Sequence, residues 1–93
     1  MNDLEITETI KLALRNVCND KSLIIEDHMS LFEDFKLDSL DFVEFVQEIE
    51  MSVGYKLDMD LFLKKSQNKN FKNLVFLDFV NYVISLKENK ANG

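Results

Sequence analysis

"KLDSLDFVEFVQ", residues Lys36 to Gln47, decides how the rest of the chain is read. An α-helix turns about 100° per residue. On that wheel Phe42, Phe45, Val46, Ile49 and Val53 share one arc, with Val43 at its edge. The opposite arc holds Leu40, Glu44, Gln47, Glu48 and Met51, with Asp41 close by. One apolar face against one acidic face predicts a helix that starts at Asp38 or Ser39 and ends near Val53. Gly54 then stands where a left-handed C-terminal cap is usual.

Two features of the stretch leave alternatives open. Leu40 and Met51 are apolar on the wet arc. They are either scattered exposed residues, which are common, or anchors of a docking face. In the second case Asp41, Glu44 and Glu48 steer a basic partner. Ser39 opens the helix. It is either a cap or first-turn serine, or a site where a phosphate is tolerated by unpaired N–H groups and the positive dipole end. Asp38 can supply the cap, which leaves Ser39 free.

Working outward, the chain of 93 residues has room for one core, so residues 1–93 are read as one domain. Hydrophobic residues make up 46%, enough to fold. Proline is absent and glycine occurs twice, which starves the chain of turn formers and favours helices. The first helix is expected from Asp3, as N-cap, to about Cys18, with Ile6, Ile10, Ala13, Leu14 and Val17 inward. Asn19 to Asp38 is a long connection containing Leu23, Ile24, Ile25, Leu31, Phe32 and Phe35. So many apolar residues predict a strap across the core, with one helical turn near Leu31; connections this long are often functional. A short helix is expected near Met59 to Lys65, then the polar, basic loop "SQNKNFKN". The last helix is expected from about Asn73 to Lys87, with Phe76, Leu77, Val80, Val83 and Ile84 inward and a frayed tail, so that the ordered core spans about residues 3–87. The sum is an all-α, four-helix bundle of three long helices and one short.

Charge and reactive residues narrow the function. Net charge is −6. Residues 1–60 carry fifteen acids and five bases, and residues 61–93 carry two acids and six bases. An acidic first two-thirds disfavours nucleic acid and favours a basic protein partner. "LVFLDFVNYVISL" is interrupted by Asp78 and Asn81, so it is a core helix and not a membrane span. With no basic-then-apolar leader pattern, a cytoplasmic location is expected. Cys18 is the one cysteine, either a small buried hydrophobe on the first helix or a reactive thiol. His28 is the one histidine and lacks neighbours at metal-ligand spacing. No metal site and no catalytic residue is expected, because no nucleophile has an acid–base partner nearby.

"SLFEDFKLDSLDFVEFVQEIE" resembles the acyl carrier protein family. There an Asp-Ser-Leu triplet opens the second helix of a four-helix bundle, and its serine bears a 4′-phosphopantetheine arm. The resemblance maps Asp38, Ser39 and Leu40 onto the triplet, with Ser39 as the modified serine. Asp41, Val43 and Glu44 match positions after it. Phe32, Glu33, Asp34 and Phe35 match the approach, and Phe79 to Val83 the last helix.

The resemblance implies a monomeric, non-catalytic carrier in fatty-acid biosynthesis or a related pathway. It is armed by a phosphopantetheinyl transferase and docks acyl-transferring and chain-elongating enzymes through Leu40, Asp41, Glu44, Gln47, Glu48 and Met51. It also implies an acyl chain shielded between helices, with Phe42, Phe45 and Phe76 lining or narrowing that space. A carrier of aminoacyl or polyketide units shares the motif, and an adaptor without an arm shares the bundle. Two positions and one segment depart from the family pattern. Lys36 replaces a usual glycine, which implies a differently shaped approach loop. Gln47 replaces an apolar residue, and the Met59–Asn73 segment is longer and more basic.

Overall fold

The computed structural model describes residues 1–59 and 74–92, with side chains through Lys87. Among them the chain is all-helical, with three helices and no strand. They are α1 (Asp3–Cys18), α2 (Ser39–Val53) and α3 (Phe76–Asn92). The expected short helix lies outside the described residues save for Met59, and the basic loop that follows lies wholly outside them. No helix of the described residues is long and apolar enough to cross a membrane.

α1 forms one residue out of phase with its expected cap. Asn2, not Asp3, is the N-cap. Its side-chain oxygen accepts from the Glu5 backbone N–H at 2.8 Å, and the Asn2 N–H donates to the Glu5 carboxylate at 3.1 Å. The phase matters because only an Asn2 cap puts a glutamate at the third helical position, where it can reciprocate. With Asp3 as cap, that position would fall to Ile6. Asp3 and Glu5 in the first turn and Arg15 in the last complement the helix dipole.

The buried faces follow the wheels. Ile6, Ile10, Ala13 and Leu14 of α1 meet Phe42, Phe45 and Ile49 of α2 and Phe76, Phe79, Val80 and Val83 of α3 in one core. Val17, Val46, Val53 and Ile84 are partly buried against it, whereas Leu77 is exposed. Burying each large side chain is worth about 1.5–3 kcal/mol, so a shift of the stripe by one residue would be ruinous. α3 starts at Phe76 rather than Asn73 because the residues before it are bonded across the strap. Ser30 and Val75 form an antiparallel bridge. The Leu31 N–H donates to the Leu74 carbonyl at 2.9 Å, and the Phe76 N–H to the Met29 carbonyl at 2.8 Å. At its other end α3 continues past Lys87 to Asn92.

The strap from Asn19 to Asp38 does cross the core. Leu31, Phe35 and Leu37 are buried, Leu23, Ile25 and Phe32 partly so, and Ile24 is exposed. A single turn forms after Ser30, whose carbonyl accepts from Asp34 and Phe35. The strap then bends at Lys36, which takes φ 58°, in the left-handed region. The expected departure of the approach loop is therefore not forced by the side chain. The lysine adopts a backbone angle that glycine would reach freely, because burial of Phe35 and Leu37 on either side over-determines the bend.

This bend is testable. Lys36→Val should lower stability by about 1–2 kcal/mol, since a β-branched side chain suffers most in the left-handed region. Lys36→Gly should hold or raise it, because relief of strain offsets the extra unfolded-state entropy. Urea midpoints at unchanged slope would measure both. A large loss in Lys36→Gly would contradict the left-handed bend.

Candidate functional site

The site is built on the first turn of α2. Asp38 is its N-cap, with extended backbone. Its carboxylate accepts from the Asp41 N–H at 2.7 Å, and the Asp38 N–H donates back to Asp41 Oδ2 at 3.3 Å. This reciprocal box does the capping. Ser39, the first helical residue, is exposed, and its hydroxyl makes no hydrogen bond among the described residues. The serine is thus spared the structural role its position would otherwise give it. Gly54 closes the helix at φ 85°, donating to the Glu50 carbonyl at 2.9 Å.

Around the outer arc, Leu40 is 68% exposed and Met51 86%. Glu44 is exposed and makes no hydrogen bond or ion pair among the described residues. Glu48 is half-buried and accepts from the Asn16 amide at 2.7 Å, a tie between α1 and α2. Asp41 is half-buried and engaged in the capping box. Leu40, Glu44 and Met51 therefore share an open face, whereas Asp41 and Glu48 also serve the fold. Gln47 is exposed but turns to the neighbouring flank.

That flank walls a groove of about 1000 Å³ that begins at Ser39. Phe42, Val43, Val46, Gln47 and Glu50 line it from α2, and Phe32, Glu33 and Leu37 from the strap, with Met59 beyond the helix. Of the three phenylalanines expected at such a space, only Phe42 lines it. Phe45 and Phe76 are fully buried and belong to the core. The signal for the α2 wall was present in the spacing Ser39, Phe42, Val43, Val46, Gln47, Glu50, one continuous flank of the helix. Nothing local marks the contributions of Leu37 or Met59.

Cys18 is half-buried at the end of α1. Burial pushes its thiol above the ordinary value, and the carboxylates of Asp41 and Asp20 push it the same way. That favours the quiet hydrophobe over the reactive thiol. His28 is exposed in the strap. Among the described residues no group of three or more His, Cys, Asp or Glu could hold a metal ion.

The model of the family described as "Phosphopantetheine attachment site" matches residues 8–75. That span contains the whole of α2 and every described groove residue. Comparison with curated proteins and with solved structures finds no match. Members of the matching family carry covalently attached 4′-phosphopantetheine, in a carrier domain rather than a catalytic one. The residues present fit such a group. An exposed, uncommitted hydroxyl stands at a helix N-terminus and opens onto a groove with an apolar wall.

The raised Cys18 pKa has a kinetic consequence, because only the thiolate attacks. At neutral pH the folded protein should react with iodoacetamide more slowly than the same chain in denaturant. Equal rates would show that its environment does not suppress the thiol.

Proposed function

The chain belongs to the phosphopantetheine-attachment family, and from that premise we propose that Ser39 is the attachment residue of an acyl carrier serving fatty-acid or related biosynthetic enzymes. The observation that carries this reading is the division of labour at the start of α2. Asp38 caps the helix, so the Ser39 hydroxyl is free and faces solvent at the mouth of the groove.

In this reading a separate transferase delivers the arm from coenzyme A to Ser39 Oγ: the new P–O bond forms as the pyrophosphate bond of coenzyme A breaks, and adenosine 3′,5′-bisphosphate leaves. No side chain among the described residues is hydrogen-bonded to that oxygen, so the transferase supplies the base that takes its proton. Once bound, the arm supplies a terminal thiol that holds an acyl group as a thioester. The chain's own residues then position, shield and present. The first turn of α2 offers N–H groups and a positive dipole end near the phosphate. Leu40 and Met51 give apolar contact, and Glu44 is placed to pair directly with a cationic side chain of a partner enzyme. Such contacts are weak and salt-sensitive, which suits a carrier that must leave each partner.

Incubation with coenzyme A and a promiscuous phosphopantetheinyl transferase should add the mass of one arm. Ser39→Ala should add none, while keeping its helical circular dichroism. Equal labelling of Ser39→Ala would place the attachment elsewhere. A second test separates docking from folding. Glu44→Lys should slow processing by partner enzymes at unchanged stability. Glu48→Lys should also lose the bond to Asn16, at a cost of about 0.5 kcal/mol. Loss of helix in Glu44→Lys would make Glu44 structural and remove it from the docking face.

A further inference from the structure

The groove beside Ser39 has two unlike ends. Toward the serine its apolar wall is Phe32, Leu37, Phe42, Val43 and Val46, with Glu33, Asp38 and Gln47 as polar lining. Its far end is marked by Glu50 and Met59. Glu50 lies about 16 Å from Ser39 along the axis of α2, at 1.5 Å per residue. The segment that carries Met59 is held there by bonds from both helices. The Leu57 N–H donates to the Glu50 carboxylate at 2.8 Å. The Asp58 N–H donates to the Tyr82 hydroxyl at 2.8 Å, and that hydroxyl donates back to the Asp58 carbonyl at 2.6 Å. Tyr82 is itself buried in α3, and Leu57 is buried beneath the same segment.

The Tyr82 hydroxyl thus clamps both backbone groups of the residue immediately before Met59. A loop with one such bond can pivot; a residue held by both N–H and C=O cannot turn its peptide planes without losing them. Glu50 adds a chemical stop. An alkyl terminus pushed against it would strip water from a carboxylate, which is costly. Geometry and solvation therefore limit the groove at the same place.

We propose that the Tyr82–Asp58 clamp and the Glu50 carboxylate close the far end of the groove and set the upper length of saturated acyl chain it shields. Tyr82 acts here as a positioning residue through Asp58 and Met59, and Glu50 touches the cargo end directly. This rests on the reading of Ser39 as the attachment residue, so the test has one arm that needs no attachment.

That arm is amide hydrogen exchange on the unmodified protein. Asp58 should exchange slowly, and Tyr82→Phe should make it exchange faster while the amides of α2 stay unchanged. The second arm uses a promiscuous phosphopantetheinyl transferase to load the protein from acyl-coenzyme A donors, butyryl to palmitoyl, and measures cleavage of each thioester by neutral hydroxylamine. Protection should grow with chain length to a limit and then fall. Tyr82→Phe and Glu50→Leu should each move the limit to longer chains. Tyr55→Phe, which loses the 2.8 Å bond from the same segment to the Val83 carbonyl, should not.

Three results would overturn the proposal. One is an unmoved limit in Tyr82→Phe despite faster Asp58 exchange. Another is an equal shift in Tyr55→Phe, which would make the effect general loosening. The third is no length dependence in the unmutated protein. A failure of loading, read as an unchanged mass, would instead overturn the attachment reading and the cargo limit with it.

Discussion

The structure depends on where α2 begins, and one reciprocal pair of hydrogen bonds decides that. Asp38 and Asp41 each take the other's backbone N–H. A helix advances about 100° per residue, so moving its start by one residue would rotate every side chain relative to the chain that enters it. With the cap at Asp38, Ser39 is the first helical residue and Phe42 points into the core. The same cap therefore releases the serine and fixes the phase of the buried stripe. A cap costs about 1 kcal/mol to lose, a small energy for so much geometry.

Phe42 carries that phase into the rest of the molecule. Its ring lies 5.1 Å from Phe32 of the strap, 6.2 Å from Phe45 and 6.4 Å from Phe79, the last edge-on. Phe45 in turn packs 5.2 Å from Phe79. The cluster joins α2, α3 and the strap through one residue that also lines the groove. The wall of the groove is thus the outer surface of the core. Aromatic contacts of this kind exceed simple burial by about 0.5–1.5 kcal/mol each, so the wall beside Ser39 is stiff. The Leu57–Met59 segment differs in kind, adding directional hydrogen bonds to backbone to its packing against the core.

What the sequence makes legible follows from this contrast. The faces of α1 and α2, the Asp38 cap, the Gly54 stop and the burial of the strap are all written in local periodicity and composition. Each depends on residues within a few positions of one another. The conformation of Lys36 is not legible, because a lysine gives no sign that its flanking residues will hold it left-handed. The Asn2 cap is hidden by an equally plausible Asp3 beside it, and only the Glu5 partner breaks the tie. The groove is legible only along its α2 wall, whose residues share one flank of the helix. Its other walls come from the strap and Met59, and no local pattern tells that Leu37 or Met59 will face that flank. The pairing of Ser30 with Val75 is equally silent, being a contact between backbones.

The acidic arc of α2 also changes meaning once its bonds are known. A wheel treats Asp41, Glu44 and Glu48 as equals, and for long-range steering they are, since a hydrogen-bonded carboxylate keeps its charge. Direct pairing is different. A partner cation that claims Asp41 competes with the cap, and one that claims Glu48 competes with Asn16. Glu44 alone of the three can form a new contact without breaking one among the described residues. Leu40, one turn before it, and Met51, two turns after it, are apolar and open on the same face. On the docking proposed for it, the arc therefore attracts with several charges and grips with few. That combination gives fast association and ready release, because steering sets the on-rate while the number of desolvated contacts sets the off-rate.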